Sequence, residues 1–333
     1  MVKWLLKRLL LLLFVLWGIT TLTFIINAVV PRNPAIAMAG SQASAEQIEK
    51  FNARWGLDRP LYERYFKFYS YLFKGDLGTS IRTERPVALE MRNFFPATFE
   101  LATFSVFLSF IIGVPLGIIA ALKRNKWPDQ LTRFISLIGV SLPNFWFGLI
   151  ILLVFYFLLG GVGPGRVTSA SYEPAKITGF YLLDSLLTGN WRSLADSFKH
   201  LIMPAFAMGF FGIGIVTRMM RSSMIDTLSK DYIKAARARG LSQYKVIMHH
   251  GIRNSLIPVL TVMGVLYGAY LGGVIVIEVV FSWPGLGNFA YTSILKSDHP
   301  AIMGVVLVIA LLYSLVNLLV DILYRYLDPR IKF

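Results

Sequence analysis

The sequence of 333 residues contains no cysteine. That absence excludes disulfides, thiolate nucleophiles, CxxC redox pairs and Cys-ligated metals. Carboxylates are sparse as well: 18 Asp and Glu stand against 33 Lys and Arg, a formal net charge of +15. No GxxxxGK[ST] phosphate loop occurs, so the chain has no recognisable means of hydrolysing ATP itself. Histidine is limited to His200, His249, His250 and His299. Only His249 and His250 are neighbours, and adjacent helix positions do not face the same way, which argues against a metal site. No nucleophile, base or ligand set converges in the pattern of a membrane-embedded enzyme.

What is abundant is apolar surface. Hydrophobic residues make up 56% of the chain and charged residues only 15%, far more apolar surface than one soluble core can hide. A helix needs roughly 20 apolar residues to cross the hydrocarbon layer. Runs near 9–30, 97–122, 134–159, 201–225, 256–277 and 301–323 qualify. The expected fold is therefore an all-α polytopic membrane protein with about six transmembrane helices.

Lys3, Lys7 and Arg8 precede the first run, and Ala37-Met38-Ala39 after it looks like a signal-peptidase site. The run exceeds the ~7–15 residues of a signal h-region, so a retained first helix is expected. The cations crowd into alternate gaps: Lys123, Arg124 and Lys126; then Arg218, Arg221, Lys230, Lys234, Arg237, Arg239, Lys245 and Arg253; then Arg325, Arg330 and Lys332. The positive-inside rule puts these gaps and both termini in the cytoplasm. Orientation in the membrane accounts for the positive charge, and nucleic acid is not implied.

The outer segment of about 31–96 reads either as a small folded region or as an interfacial amphipathic helix. Ser44 can cap a helix through Ile48 and Phe51, and Leu61–Phe73 carries aromatics at helical spacing. Gly113 and Gly117, and again Gly264, Gly268 and Gly272, are spaced for close helix approach. Pro115 and Pro143 predict kinks. The acids Glu100, Glu278 and Asp321 fall near predicted helix ends, within reach of water or headgroups, and Asp321 can pair with Arg325. The apolar runs thus lack the mid-membrane carboxylate expected of an ion-coupled carrier, the competing functional class.

The most informative stretch is Ser229-Lys-Asp-Tyr-Ile-Lys-Ala-Ala-Arg-Ala-Arg-Gly240. It predicts a short helix with Ser229 as N-cap, Asp231 in the first turn, Arg237 and Arg239 in the last, and a left-handed stop at Gly240. At ~100° per residue, Tyr232, Ala235, Ala236 and Arg239 share one face, while Lys230, Lys234 and Arg237 share the other. These features suit a docking helix or a basic helix held by lipid headgroups. A second helical stretch, Leu241 to Arg253, leads back to the membrane.

The run Asp231 to Leu241, followed by Arg253-Asn254 and Ile257-Pro258, resembles the cytoplasmic "EAA" loop of binding-protein-dependent ABC permeases. Ala235, Ala236 and Gly240 match, whereas Lys234 stands where the name-giving glutamate would be. Glu278-Val-Val-Phe-Ser-Trp-Pro-Gly-Leu-Gly287 resembles the outside hairpin of dipeptide and oligopeptide permeases. So do Gly56 to Pro60, Gly75 to Gly78, Arg218 to Met224, Val316 to Asp321 and Asp328-Pro-Arg330, spread in order over nearly the whole chain.

The resemblance implies a type I-like importer transmembrane domain, B-type subunit, in the inner or plasma membrane of a prokaryote. It implies the partners too: a second homologous permease, two ABC ATPase subunits that use ATP and Mg, and an extracytoplasmic solute-binding protein. The chain itself would be non-catalytic and bind no cofactor. Residues 1–96 would form a first span plus outer segment, and 97–333 a five-helix core with a coupling loop at 226–255. Asp231, Tyr232, Ala235, Ala236, Arg239 and Gly240 would engage the ATPase. The hairpin residues Glu278, Phe281, Trp283, Pro284, Gly285 and Gly287 would close or guide substrate at the outer mouth, or form a re-entrant packing loop. Glu278 could meet a peptide's amino group or simply lie exposed. Cargo in similar systems ranges over dipeptides, oligopeptides, glutathione, nickel chelates and oligosaccharides.

Overall fold

The computed structural model describes residues 2–29, 44–56, 58–273 and 275–327. The Ala37-Met38-Ala39 stretch, Asp328-Pro-Arg330 and the side chain of Arg325 lie outside what is described. In chain order the helices are α1 (Val2–Val29), α2 (Ala45–Trp55), α3 (Leu61–Phe73), α4 (Val87–Leu122), α5 (Trp127–Ser141) and α6 (Asn144–Ile151). They continue with α7 (Tyr181–Leu187), α8 (Trp191–Leu228), α9 (Asp231–Ala238), α10 (Arg253–Gly273), α11 (Ile275–Val280), α12 (Leu286–Leu295) and α13 (His299–Leu327). Among the described residues there is no strand, only an isolated bridge between Thr79 and Pro86.

Among the described residues five helices are long and apolar enough to span a membrane. The pair Trp127–Ser141 and Asn144–Leu158, bent by 105°, brings the number to six. This is the all-α, multi-pass architecture expected. The expected kinks differ from one another. Pro143 does more than bend its helix: it sits outside the ladder and starts α6, because the residue before a proline is pushed out of the α region. Helix α4 passes Pro115 without interruption and begins at Val87, ahead of the start expected near 97.

The chain forms two compact units, Met1–Thr98 with Pro284–Ser314 and Phe99–Trp283 with Leu315–Phe333. In the first unit a core of Val87, Met91, Leu286, Phe289, Ala290, Ala301 and Val305 is buried, with Phe94 stacked on Phe289 at 4.9 Å. Asp298 joins it to the preceding loop, accepting the Ser80 hydroxyl at 2.5 Å and the Ile81 and Arg82 amides at 3.0 and 3.1 Å. Helix α3 presents Tyr65 and Tyr69 to α1, where their hydroxyls meet Thr21 at 3.0 and 2.9 Å. Alongside them on the same helix Tyr62, Phe66 and Phe73 are exposed.

In the second unit α8 is the central element, packed on α5, α6, α7 and α10. Asn190 caps it by accepting the Ser193 amide at 3.0 Å. Gly113 and Gly117 of α4 face it at backbone range. A Cβ on Gly113 would lie 2.8 Å from Val216, and one on Gly117 would lie 2.6 Å from the Met220 Cβ and 2.7 Å from the Thr217 carbonyl. Ser109 donates across the same seam to the Gly209 carbonyl at 3.0 Å, and Tyr270 to the Met208 carbonyl at 3.1 Å. Gly264 meets Val320 in the same way.

Because the atoms facing Gly117 are backbone or fixed near it, Gly117→Ala is expected to destabilise the protein by about 1–3 kcal/mol, the usual range for overpacking. Thermal unfolding in detergent measures this. An unchanged midpoint would mean the seam yields.

Candidate functional site

Two sites answer to the sequence expectations. The first surrounds α9. Ser229 does not cap it: its backbone is helical, so it closes α8 instead, its hydroxyl donating to the Asp226 carbonyl at 2.7 Å. Lys230 holds the extended N-cap position without a side-chain bond. Asp231 pairs with Lys234 at 2.9 Å, but both side chains are largely exposed, so solvent screens the pair to a small contribution. At the other end Gly240 adopts φ +77°, as expected, and no atom would block a side chain there. Ser242 then accepts the Lys245 amide at 3.4 Å and opens the next helical stretch.

The packed face is not the one expected. Ile233 and Ala236 are buried, at 0% and 1% exposure, against Val246 and Leu228. Tyr232, Ala235 and Arg239 stay exposed. The reason is size: Ile233 offers more apolar area than any alanine, and it rotates Ala236 inward with it. Ala236 is an internal anchor, and the outward strip consists of Tyr232, Ala235 and Arg239. The Tyr232 hydroxyl accepts from Asn254 at 3.2 Å. Beneath the loop, Ser255 donates to Thr227 at 3.0 Å and to the Gly251 carbonyl at 2.8 Å.

A bidentate pair lies nearby in the same unit. Arg221 meets the fully buried Asp129 through Nε at 2.6 Å and Nη2 at 2.8 Å. Asp129 also accepts the Asn125 amide at 2.9 Å, fastening the turn before α5 to α8. In the sequence Arg221 stands as a topology charge and as part of the Arg218 to Met224 stretch, with no partner indicated. The overlooked signal was a single carboxylate, Asp129, among Lys123, Arg124, Lys126 and Arg133.

The second site lies at the end of α11. Glu278, Phe281 and Trp283 are buried at 0%, 2% and 1% exposure, which corrects the alternative that Glu278 simply lies exposed. The turn is tight: the Trp283 amide donates to the Glu278 carbonyl at 2.7 Å, and Ser282 takes φ +48°. The Phe281 carbonyl accepts the Gly165 amide at 2.8 Å. Pro284, Gly285 and Gly287 follow into α12. Gly285 is its extended N-cap with φ −112°, so the left-handed residue of the turn is Ser282 and not a glycine.

Beside Trp283 sits a buried cation missed in the sequence. Arg166 pairs with Glu100 through Nη2, donates to the Gly179 carbonyl at 3.3 and 3.4 Å, and stacks over Tyr181 at 3.6 Å and Trp283 at 5.7 Å. Glu100 also accepts the Leu182 amide at 2.9 Å. Glu100 therefore lies inside α4, paired, and not at a helix end within reach of water or headgroups. Asp184 organises the same loop, accepting the Thr178 hydroxyl at 2.6 Å and the Ile177, Thr178 and Gly179 amides. Burial works to raise its pKa, and these bonds outweigh burial, holding the carboxyl below the ordinary range.

Breaking a buried ion pair from one side leaves a charge uncompensated. Glu100→Gln is accordingly expected to lower stability by about 3 kcal/mol or more, whereas Glu100→Leu with Arg166→Leu recovers most of it. Thermal unfolding of the three proteins tests this, and equal midpoints would show that the pair contributes nothing.

Two family descriptions match the chain. "Binding-protein-dependent transport system inner membrane component" covers residues 113–333, and the N-terminal description of such membrane components covers 1–102. The probable D,D-dipeptide transport system permease protein DdpB of Escherichia coli strain K12 is 46% identical over 96% of this chain and 94% of its own length. The dipeptide transport system permease protein DppB of Alkalihalophilus pseudofirmus is 42% identical over 100% of both chains. The glutathione transport system permease protein GsiC of Escherichia coli O6:H1 is 37% identical, again over 100% of both.

Proposed function

The chain belongs to the family of inner membrane components of binding-protein-dependent transport systems, and from that membership we propose that it is one permease subunit of an ATP-driven peptide importer. It forms half of a transmembrane pathway for peptides that an extracytoplasmic binding protein delivers. A second homologous permease forms the other half, and two ATPase subunits bind and hydrolyse ATP with Mg. This chain is non-catalytic. It lies in the inner or plasma membrane of a prokaryote with both termini in the cytoplasm, an orientation supported by its basic gaps.

The observation that carries the reading is full-length relatedness to dipeptide permeases combined with one local geometry. A short helix, stopped at Gly240, has its back fastened inside the protein through Ile233 and Ala236 and turns Tyr232, Ala235 and Arg239 outward. That strip is where an ATPase subunit docks, with Asp231 and Gly240 setting the ends of the rod. At the opposite site Phe281 and Trp283, with Pro284, Gly285 and Gly287, close the outer mouth. Glu278 serves this hairpin from inside, since a wholly buried carboxylate does not meet a peptide amine directly.

With no native cysteine, one introduced thiol reports cleanly. Ala235→Cys in the assembled transporter is expected to crosslink to the ATPase subunit, and Ala236→Cys to stay unreactive because it is buried. Failure of Ala235→Cys to reach an ATPase would overturn the docking assignment. Gly240→Val places a β-branched residue in the left-handed region, a strain of roughly 1–2 kcal/mol. It is expected to reduce ATP-dependent uptake several-fold with membrane insertion intact, and normal uptake would remove the turn from the coupling path. Uptake by the purified chain alone, in liposomes under an ion gradient without nucleotide, would sink the importer reading.

A further inference from the structure

The first unit contains a cavity of about 250 Å³ that neither site uses. Phe24, Phe68 and Met303 give it an apolar floor, while Arg59, Arg64 and Lys67 line its wall. One carboxylate reaches it, Asp76, and that group is engaged by the Gly78 amide at 2.8 Å. Among the described residues none of the three cations makes an ion pair; Lys67 lies over the Tyr71 ring at 5.8 Å, and Arg64 acts electrostatically on His299. Two further polar atoms of lining residues, Asn27 Nδ2 and His299 Nδ1, are buried without a partner. Burial pushes the Arg64 guanidinium below its usual pKa. Arg59 and Lys67 are exposed and Arg64 half-buried, so three like charges meet at one opening and favour an anion between them.

Position decides which anion. Phe24, Asn27 and Ala28 lie at the end of the span Leu6–Ala28, and His299, Pro300 and Met303 at the start of the span His299–Ile322. Two spans end at one cavity, which sets it at headgroup depth. Beside it on α1, Leu22, Ile25 and Ile26 are exposed. A free anion has no use for an apolar floor, whereas a phospholipid presents a phosphate at this depth with acyl chains directly beneath. We propose that the cavity binds the phosphate headgroup of an anionic phospholipid, with Arg64 and Lys67 holding the phosphate and Phe24 and Phe68 seating the start of an acyl chain.

The test uses the full-length chain in nanodiscs holding equal phosphatidylglycerol and phosphatidylcholine, with retained lipids counted by native mass spectrometry. The wild type is expected to keep phosphatidylglycerol selectively. Removing both cations, Arg64→Gln with Lys67→Gln, should weaken that preference roughly 25-fold, at about fivefold per cation near a membrane surface. Arg64→Lys should retain most of it. An unchanged preference in the double variant overturns the proposal. Displacement of phosphatidylglycerol from the wild type by inorganic phosphate also overturns it, since the site would then be one for free anions. Should the double variant lose its helical circular dichroism, Lys67→Gln alone replaces it, since that side chain is exposed, and an unchanged preference there overturns the proposal equally.

Discussion

The second unit depends on backbone contact along α8. Lipid tails are as apolar as leucine, so no hydrophobic force drives helices together in a membrane, and packing at short range has to hold them. Small residues make that range accessible. Gly113 and Gly117 bring α4 onto α8, and Gly139 and Gly214 do the same between α5 and α8. Ser109 and Tyr270 then exploit the closeness, since their hydroxyls reach α8 carbonyls that a larger neighbour would cover. Helix α8 extends over 38 residues, from the loop held by Asp184 to the turn that opens α9. Local order at each of its ends therefore refers to the same rod.

The apolar runs were legible because the hydrocarbon layer imposes length and composition on anything that crosses it. So were Gly240, whose left-handed stop depends only on its own residue type, and the seam at Gly113 and Gly117. What escaped was pairing at a distance. Glu100 and Arg166 are 66 positions apart, Asp129 and Arg221 92 apart, and nothing local announces either partnership. Glu100 and Glu278 were assigned to water because a lone acid in an apolar run has no visible partner, and the chain buries both. Ala236 was placed outward because helical periodicity groups residues by angle without saying which group turns in. Ile233 settles that by area.

One ion pair connects the loop at Arg166 to α4, and the other connects the first turn of α5 at Asp129 to α8. Such pairs are weak as sources of stability, because desolvation offsets most of the attraction, but they are strict about geometry. Arg166 illustrates this: its guanidinium faces Glu100, the Gly179 carbonyl and the Tyr181 ring at once, and only one arrangement of the loop satisfies them together. Selection of one arrangement, rather than added strength, is what such a group contributes to its loop.

The shallow seat of α9 has a mechanical corollary. Three side chains, Ile233, Ala236 and Val246, bear the rod, and none has a long flexible stem. Short stems leave little play, so a displacement of the rod's outer strip would reach Leu228 at the end of α8 with small loss of amplitude. A seat built from methionine or lysine stems would absorb the same stroke as rotamer changes and pass on less of it.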